Sequence, residues 1–267
     1  DHGMTPSIPF QVAFGQTLRQ FIAERTGQEV HSGEGGGDGE SMPEMRARFL
    51  LDEIRGLEAR RHGPLPARLL EATRRGLEEQ LEREWDLSRR GEIAVRNSGP
   101  LSHIYFEVTE RPMDLSEVAL LYPRLVDALV AHEGVGLVAG REGGQVVVIG
   151  PSGTLWIGPE GERLEGDHPL VAYGDPTWAT AQVARLARFP HAGDLILFGT
   201  WDGESVISFE EQLACHGGLG GPQDWPFLAF PPRVDLAPWH IDNAEGVYRA
   251  LMAVYRPESS PEAPPDR

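Results

Sequence analysis

Residues 135–157 read VGLVAGREGGQVVVIGPSGTLWI. Three short apolar runs, Val135–Ala139, Val146–Ile149 and Thr154–Ile157, are set off by Gly and Pro. Runs of that length between turn residues read as strands. The same signature recurs at Ile104–Val108, Leu195–Phe198, Val206–Phe209 and Phe227–Phe230. Helix starts are interleaved with them. Asp114 with Glu117 at N3 opens a stripe of Val118, Leu121, Val126 and Leu129, and Asp175-Pro176 leads into Val183 and Leu186. Asp242 with Glu245 at N3 precedes Val247, Leu251 and Val254. A carboxylate N-cap with an acidic residue three positions on satisfies the first free N–H groups of a helix. Alternating strands and helices from residue 92 onward predict an α/β core.

Outward from that core the pattern changes. Residues 1–26 read as a loop and then a helix, with Leu18, Phe21 and Ile22 on one stripe. Residues 27–40 contain Gly-Glu-Gly-Gly-Gly-Asp-Gly at 33–39, an acidic connector from which no core can be built. Ser41-Met42-Pro43-Glu44 is a capping-box start. It leads into two charged helices over 41–90, one carrying Met45, Phe49, Ile54 and Leu57 and the other Leu70, Leu77, Leu81 and Trp85. This hairpin reads as an insertion, and its narrow stripes would also serve self-association. The expected divisions are 1–26 (first piece of the core), 27–91 (linker and hairpin insertion), 92–236 (rest of the core), 237–255 (C-terminal helix) and 256–267 (a disordered tail).

Composition excludes several classes of function. Arg supplies all 24 basic residues against 41 Asp and Glu, for a net charge of −17. A nucleic-acid partner held by a basic face is therefore not expected, because phosphate affinity needs Lys/Arg stripes. No run of 18 apolar residues predicts a membrane span. The single Cys215 leaves no internal disulfide framework.

Two short motifs carry candidate chemistry. Asp1-His2-Gly3 places a hard carboxylate beside an imidazole, with a Gly that would let the backbone turn behind them. Asp oxygen and His nitrogen are typical zinc ligands; the bland reading is a surface turn. His216 opens Gly217-Gly218-Leu219-Gly220-Gly221, a loop whose backbone could approach a ligand closely, or which is a plain surface turn. Gly217 and Gly218 are candidate site-lining residues, as is His191 in Phe189-Pro190-His191-Ala192-Gly193-Asp194. Cys215 reads as a small buried thiol. His132 suits a dipole role at the end of the Asp114 helix. No Walker loop, Gly-x-Gly-x-x-Gly or Gly-x-Ser-x-Gly is present.

Taken together, these segments resemble one branch of a known family. Asp1-His2-Gly3, followed by Phe14-Gly15-Gln16-Thr17-Leu18, resembles the Asp-His-Gly stretch of the alkaline phosphatase superfamily. Phe209-Glu210-Glu211-Gln212-Leu213 with His216–Gly221 is similar to the late His-Gly motif of its bacterial phosphodiesterase and alkaline-phosphatase-like branch. Segments similar to Tyr122–Gly136 and Phe189–Asp194 also recur in that branch. The likeness covers about 1–26 and 92–232.

The resemblance implies part of an alkaline-phosphatase-like α/β/α sandwich with the hairpin inserted. It also implies a two-metal, usually zinc, hydrolase of phosphate esters. In such a site two cations clamp the attacking and leaving oxygens. By resemblance, Asp1 and His2 would hold one metal and His216 the other, meeting at one edge of the sheet across 214 positions of chain. The family's nucleophile and its remaining ligands precede the Asp-His-Gly stretch, so the chain is expected to be a C-terminal part and inactive alone. Any signal or membrane anchor would also lie upstream. Three ligands shared by two metals fall short of the three or four protein ligands of a stable zinc site. Two other readings remain open: a catalytically inactive phosphatase-like binding or scaffold module, and an unrelated acidic interaction domain.

Overall fold

A computed structural model describes residues 3–31, 91–109, 111–232, 234, 241 and 243–256. The expectations for Asp1, His2, the 41–90 hairpin with its self-association, and the tail beyond residue 256 lie outside the described residues.

Eight strands form the main sheet: β2 (Val30–His31), β3 (Ile93–Ser98), β4 (Leu101–Phe106), β5 (Val135–Glu142), β6 (Gln145–Gly150), β7 (Gly153–Gly158), β8 (Gly161–Gly166) and β9 (Leu195–Gly199). Their order across the sheet is β2-β3-β4-β9-β5-β6-β7-β8. β2 pairs with β3 in parallel, and every other neighbouring pair is antiparallel. The β5–β6 hairpin closes through Gly143 and Gly144, at φ 55° and 80°. Two consecutive left-handed residues make the two-residue turn whose twist matches the flanking strands.

Strand alternation then sorts the side chains onto two faces. On one face Val138, Val147, Ile149, Leu195, Leu197 and Ile104 join a core with Phe10, Leu18, Ile22, Val118, Leu125 and Leu129. Those partners come from α1 (Phe10–Phe14), α2 (Leu18–Thr26), α3 (Leu115–Leu121) and α4 (Leu125–Val130). On the other face Leu137, Ala139, Val146, Val148, Ile196 and Phe198 meet Ala179, Val183, Ala184 and Ala187. Those four alanine and valine side chains belong to α5 (Pro176–Ala187). The molecule is a mixed α/β structure with helices on both faces of a mostly antiparallel sheet.

The caps explain where the helices begin. Thr17 and Gln20 make a reciprocal capping box on α2, as do Asp114 and Glu117 on α3. The Asp175 carboxylate accepts from the N–H groups of Thr177 and Trp178, with Pro176 in the first turn of α5.

Three expectations are corrected. The single helix expected from Asp114 is two, because Pro123 cannot continue the first and Arg124 takes a left-handed φ of 67°. Phe227–Phe230 forms no strand, being bracketed by Pro226 and Pro231-Pro232 with all four residues exposed. The connector does contribute structure, since Val30–His31 adds an edge strand to β3.

A small second sheet of order β10-β1-β11 joins β1 (Thr5–Pro9), β10 (Val206–Ser208) and β11 (Ala214–Cys215). The described residues from Phe227 onward form a separate unit. In it α6 (Ala244–Tyr255) is capped by the Asn243 side chain, which accepts from the Gly246 N–H. Ala250 there packs with Val234, Ile241 and Val254.

Candidate functional site

The residues that follow the Asp-His pair run directly into β1, and the register of that strand defines the site. β1 is parallel to β10, with Ser7 opposite Val206. It is antiparallel to β11, with Thr5 opposite Cys215 and Pro6 opposite Ala214. Two stretches about 210 positions apart in the chain are thereby neighbours. Gly3 lies against the turn beyond them: a Cβ there would stand 1.8 Å from the Pro222 carbonyl oxygen. Gly3 is not among the glycines with left-handed backbone. It provides room for a close approach, rather than the sharp turn expected from the sequence.

His216 follows β11 and is exposed. Its carbonyl oxygen packs beside Gly99, where a Cβ would come within 2.9 Å of it. Beyond it the loop is tied down closely. The Gly218 N–H donates to Gln223 Oε1 at 3.1 Å, and the Gly220 N–H to Asp224 Oδ2 at 2.8 Å. Gln223 Nε2 donates to the carbonyls of Leu219 and Gly220 at 3.0 and 2.9 Å. The Thr5 hydroxyl donates to the Gly220 carbonyl at 3.3 Å and accepts from the Gln223 N–H at 2.9 Å. Burial pushes the Asp224 carboxyl up, with the Gly220 hydrogen bond acting against it.

The loop glycines fit neighbouring side chains. The Trp201 indole occupies the space where side chains at Gly220 and Gly221 would lie, and Pro100 does the same at Gly218. Gly217 faces open space with φ 90°. Cys215 is fully buried, as expected for a small thiol, and burial raises its pKa.

His191 is placed elsewhere. It is exposed before the start of β9, and its carbonyl accepts from the Tyr105 hydroxyl at 3.0 Å. The other end of β9 reaches the His216 side, where the Gly199 N–H donates to the Pro100 carbonyl. The two histidines are therefore separated by the length of a strand, on the order of 15 Å. In the His191 segment it is Asp194 that holds the structure. Its carboxylate accepts from the N–H groups of Phe106 and Met113, both at 2.7 Å. His103 Nδ1 accepts from the Gly193 N–H, and the Arg141 guanidinium donates to the carbonyls of Ala187, Ala192 and Gly193.

His132 also departs from its expected role. Its ring stacks on Phe10 and meets Phe14 and Phe21 edge-on, with centroids 4.6–4.7 Å away. Its Nδ1 accepts from the Gly134 N–H. Burial holds its pKa below the ordinary value, so it is a neutral acceptor in an aromatic box and not a cation on a helix dipole.

Among the described residues no three His, Cys, Asp or Glu side chains gather where a metal ion could be held. Of the three expected ligands only His216 falls within them, and no catalytic step is assigned to it. Thr5, Gln223 and Asp224 were not legible as site residues. Their signal is a polar residue buried against a glycine loop that lies far away in the chain. Comparison with protein-family models, with curated proteins and with solved structures returns no match.

Proposed function

We propose that the chain is the C-terminal part of a metal-dependent phosphoric-ester hydrolase, a phosphodiesterase or phosphatase of the alkaline phosphatase superfamily. In this reading Asp1, His2 and His216 are ligands of a two-metal, zinc-type site whose nucleophile lies upstream, and the α/β/α layering is that family's sandwich. One observation supports the reading: β1, which in sequence follows Asp1-His2-Gly3, pairs with β11, which ends at Cys215, one residue before His216. The strand that follows the first motif in the chain and the strand that precedes the second are thus neighbours. With a net charge of −17, the attraction of an anionic ester would come from bound cations and not from the global field.

The packing of Gly218, Gly220 and Gly221 against Pro100 and Trp201 favours a second reading, an inactive phosphatase-like binding or scaffold module. A single experiment separates the two. The 267-residue chain is expected to leave aryl phosphate mono- and diesters unhydrolysed, with or without zinc. The chain extended upstream through its whole reading frame is expected to hydrolyse one of them. There His216→Ala should cost at least about 100-fold, as loss of a charge-stabilising group at a reacting centre does. An extended chain that turns over nothing supports the module. Turnover unaffected by His216→Ala removes His216 from the metal site.

A further inference from the structure

We infer that Thr5 and Gln223 are positioning residues that clasp the His216 loop to strand β1 and so fix His216 relative to the Asp-His-Gly segment. The inference rests on the reading of His216 as a metal ligand.

Glycines at 217, 218, 220 and 221 would by themselves make the loop the most pliable stretch near β1, since each gains conformational freedom from its missing Cβ. The structure ties the loop down with two buried polar side chains. Thr5 has no exposed surface and Gln223 is 8% exposed. A buried hydroxyl or carboxamide is costly unless its hydrogen-bonding capacity is used. Here the Thr5 hydroxyl both donates and accepts, and the Gln223 amide gives two hydrogen bonds through Nε2 and takes one at Oε1. The bonds between the Thr5 hydroxyl and the loop and turn span 215 and 218 positions of sequence.

His216 lies between the two anchors. Before it, Cys215 is paired with Thr5 in the ladder; after Gly217, the Gly218 N–H is held by Gln223. Thr5 thus belongs to both, pairing through its backbone with β11 and through its side chain with the loop. A ligand whose backbone is set from both sides meets a metal with less ordering left to do, which is how groups beyond the coordinating atoms tune affinity.

The test uses the full chain and its Thr5→Val, Thr5→Ser and Gln223→Met variants. Three readouts are taken: thermal melting, order of the His216 ring by carbon-13 relaxation, and zinc affinity from the shift of the His216 ring signals on titration. Thr5→Val and Gln223→Met are expected to melt cooperatively, to loosen the His216 ring and to weaken zinc binding about 10-fold. Thr5→Ser, which keeps the hydroxyl, is expected to match the parent in all three. If zinc leaves the His216 signals of the parent chain unmoved while the two variants still loosen the ring, the metal reading falls and the clasp stands. An equally ordered ring in both variants overturns the clasp. Loss of the cooperative melt in both would make the pair ordinary core residues and overturn it too.

Discussion

Single side chains here answer to burial before charge. His132 is the clearest case: burial lowers its pKa, Glu133 partly offsets this, and Arg25 adds to it. A depressed folded-state value means that the stability from neutral His132 is complete above about pH 6.5 and is lost as pH falls through the folded pKa. The His132 contribution is therefore expected to lower the melting temperature from pH 7 to pH 5, and His132→Phe should remove that contribution from the slope. The substitution should also cost about 1 kcal/mol at pH 7 by leaving the Gly134 N–H without its acceptor. An unchanged slope in melts at the two pH values would remove His132 as the cause. Asp194→Asn should be costlier, about 1–3 kcal/mol by denaturant titration. Its amide nitrogen would face one of the two N–H groups, of Phe106 or Met113, that the carboxylate now accepts from. Melting at the parent's midpoint would show that Asn satisfies both.

Elements were legible where local chemistry decides them and illegible where distant partners do. The strands β5, β6, β7 and β9, the apolar stripe of α2 and the capped starts of α3 and α5 can be read because apolar runs, Gly turns and cap residues lie side by side in the chain. The sequence of β1 reads as a loop, since Thr5-Pro6-Ser7-Ile8-Pro9 carries two prolines and both of its partners come about 200 residues later. β8 has no signature in the sequence, because Gly161–Gly166 is exposed throughout and shows no apolar alternation. Its Glu162, Arg163 and Glu165 lie along an edge of the sheet, where charge discourages another strand from adding on. Replacing Glu162 and Glu165 by Val is thus expected to raise the mass seen by light scattering; an unchanged mass would show that the edge is protected otherwise. The β2–β3 pair sets the limits of a deletion. Removing residues 32–90 and joining His31 to Gly91 through about eight Gly/Ser residues should preserve cooperative melting, since His31 pairs beside Ala94 and extended chain spans ~3.3 Å per residue. Loss of that melt would assign the removed residues to the core.

For the molecule as a whole, the sequence offers the candidate site as two motifs that the resemblance brings together, but not the residues that support them. Asp-His-Gly and His-Gly-Gly can be picked out from residue types, whereas Thr5, Gln223 and Trp201 acquire meaning only when β1 lies against β11. That arrangement also has a consequence in time. β1 is the first strand in the sequence, yet its neighbours are Val206–Ser208 and Ala214–Cys215. A ribosome adding about 5–20 residues per second needs on the order of 10–40 s to deliver those partners after β1 has emerged. During that interval the β5–β6 hairpin, whose pairing is entirely local, can already close. In pulse-labelled refolding the amide of Ser7, which donates to the Leu213 carbonyl, should gain protection after those of Val138 and Ile149. The seam that lays the His216 loop beside β1 is then sewn only after the local hairpins have closed.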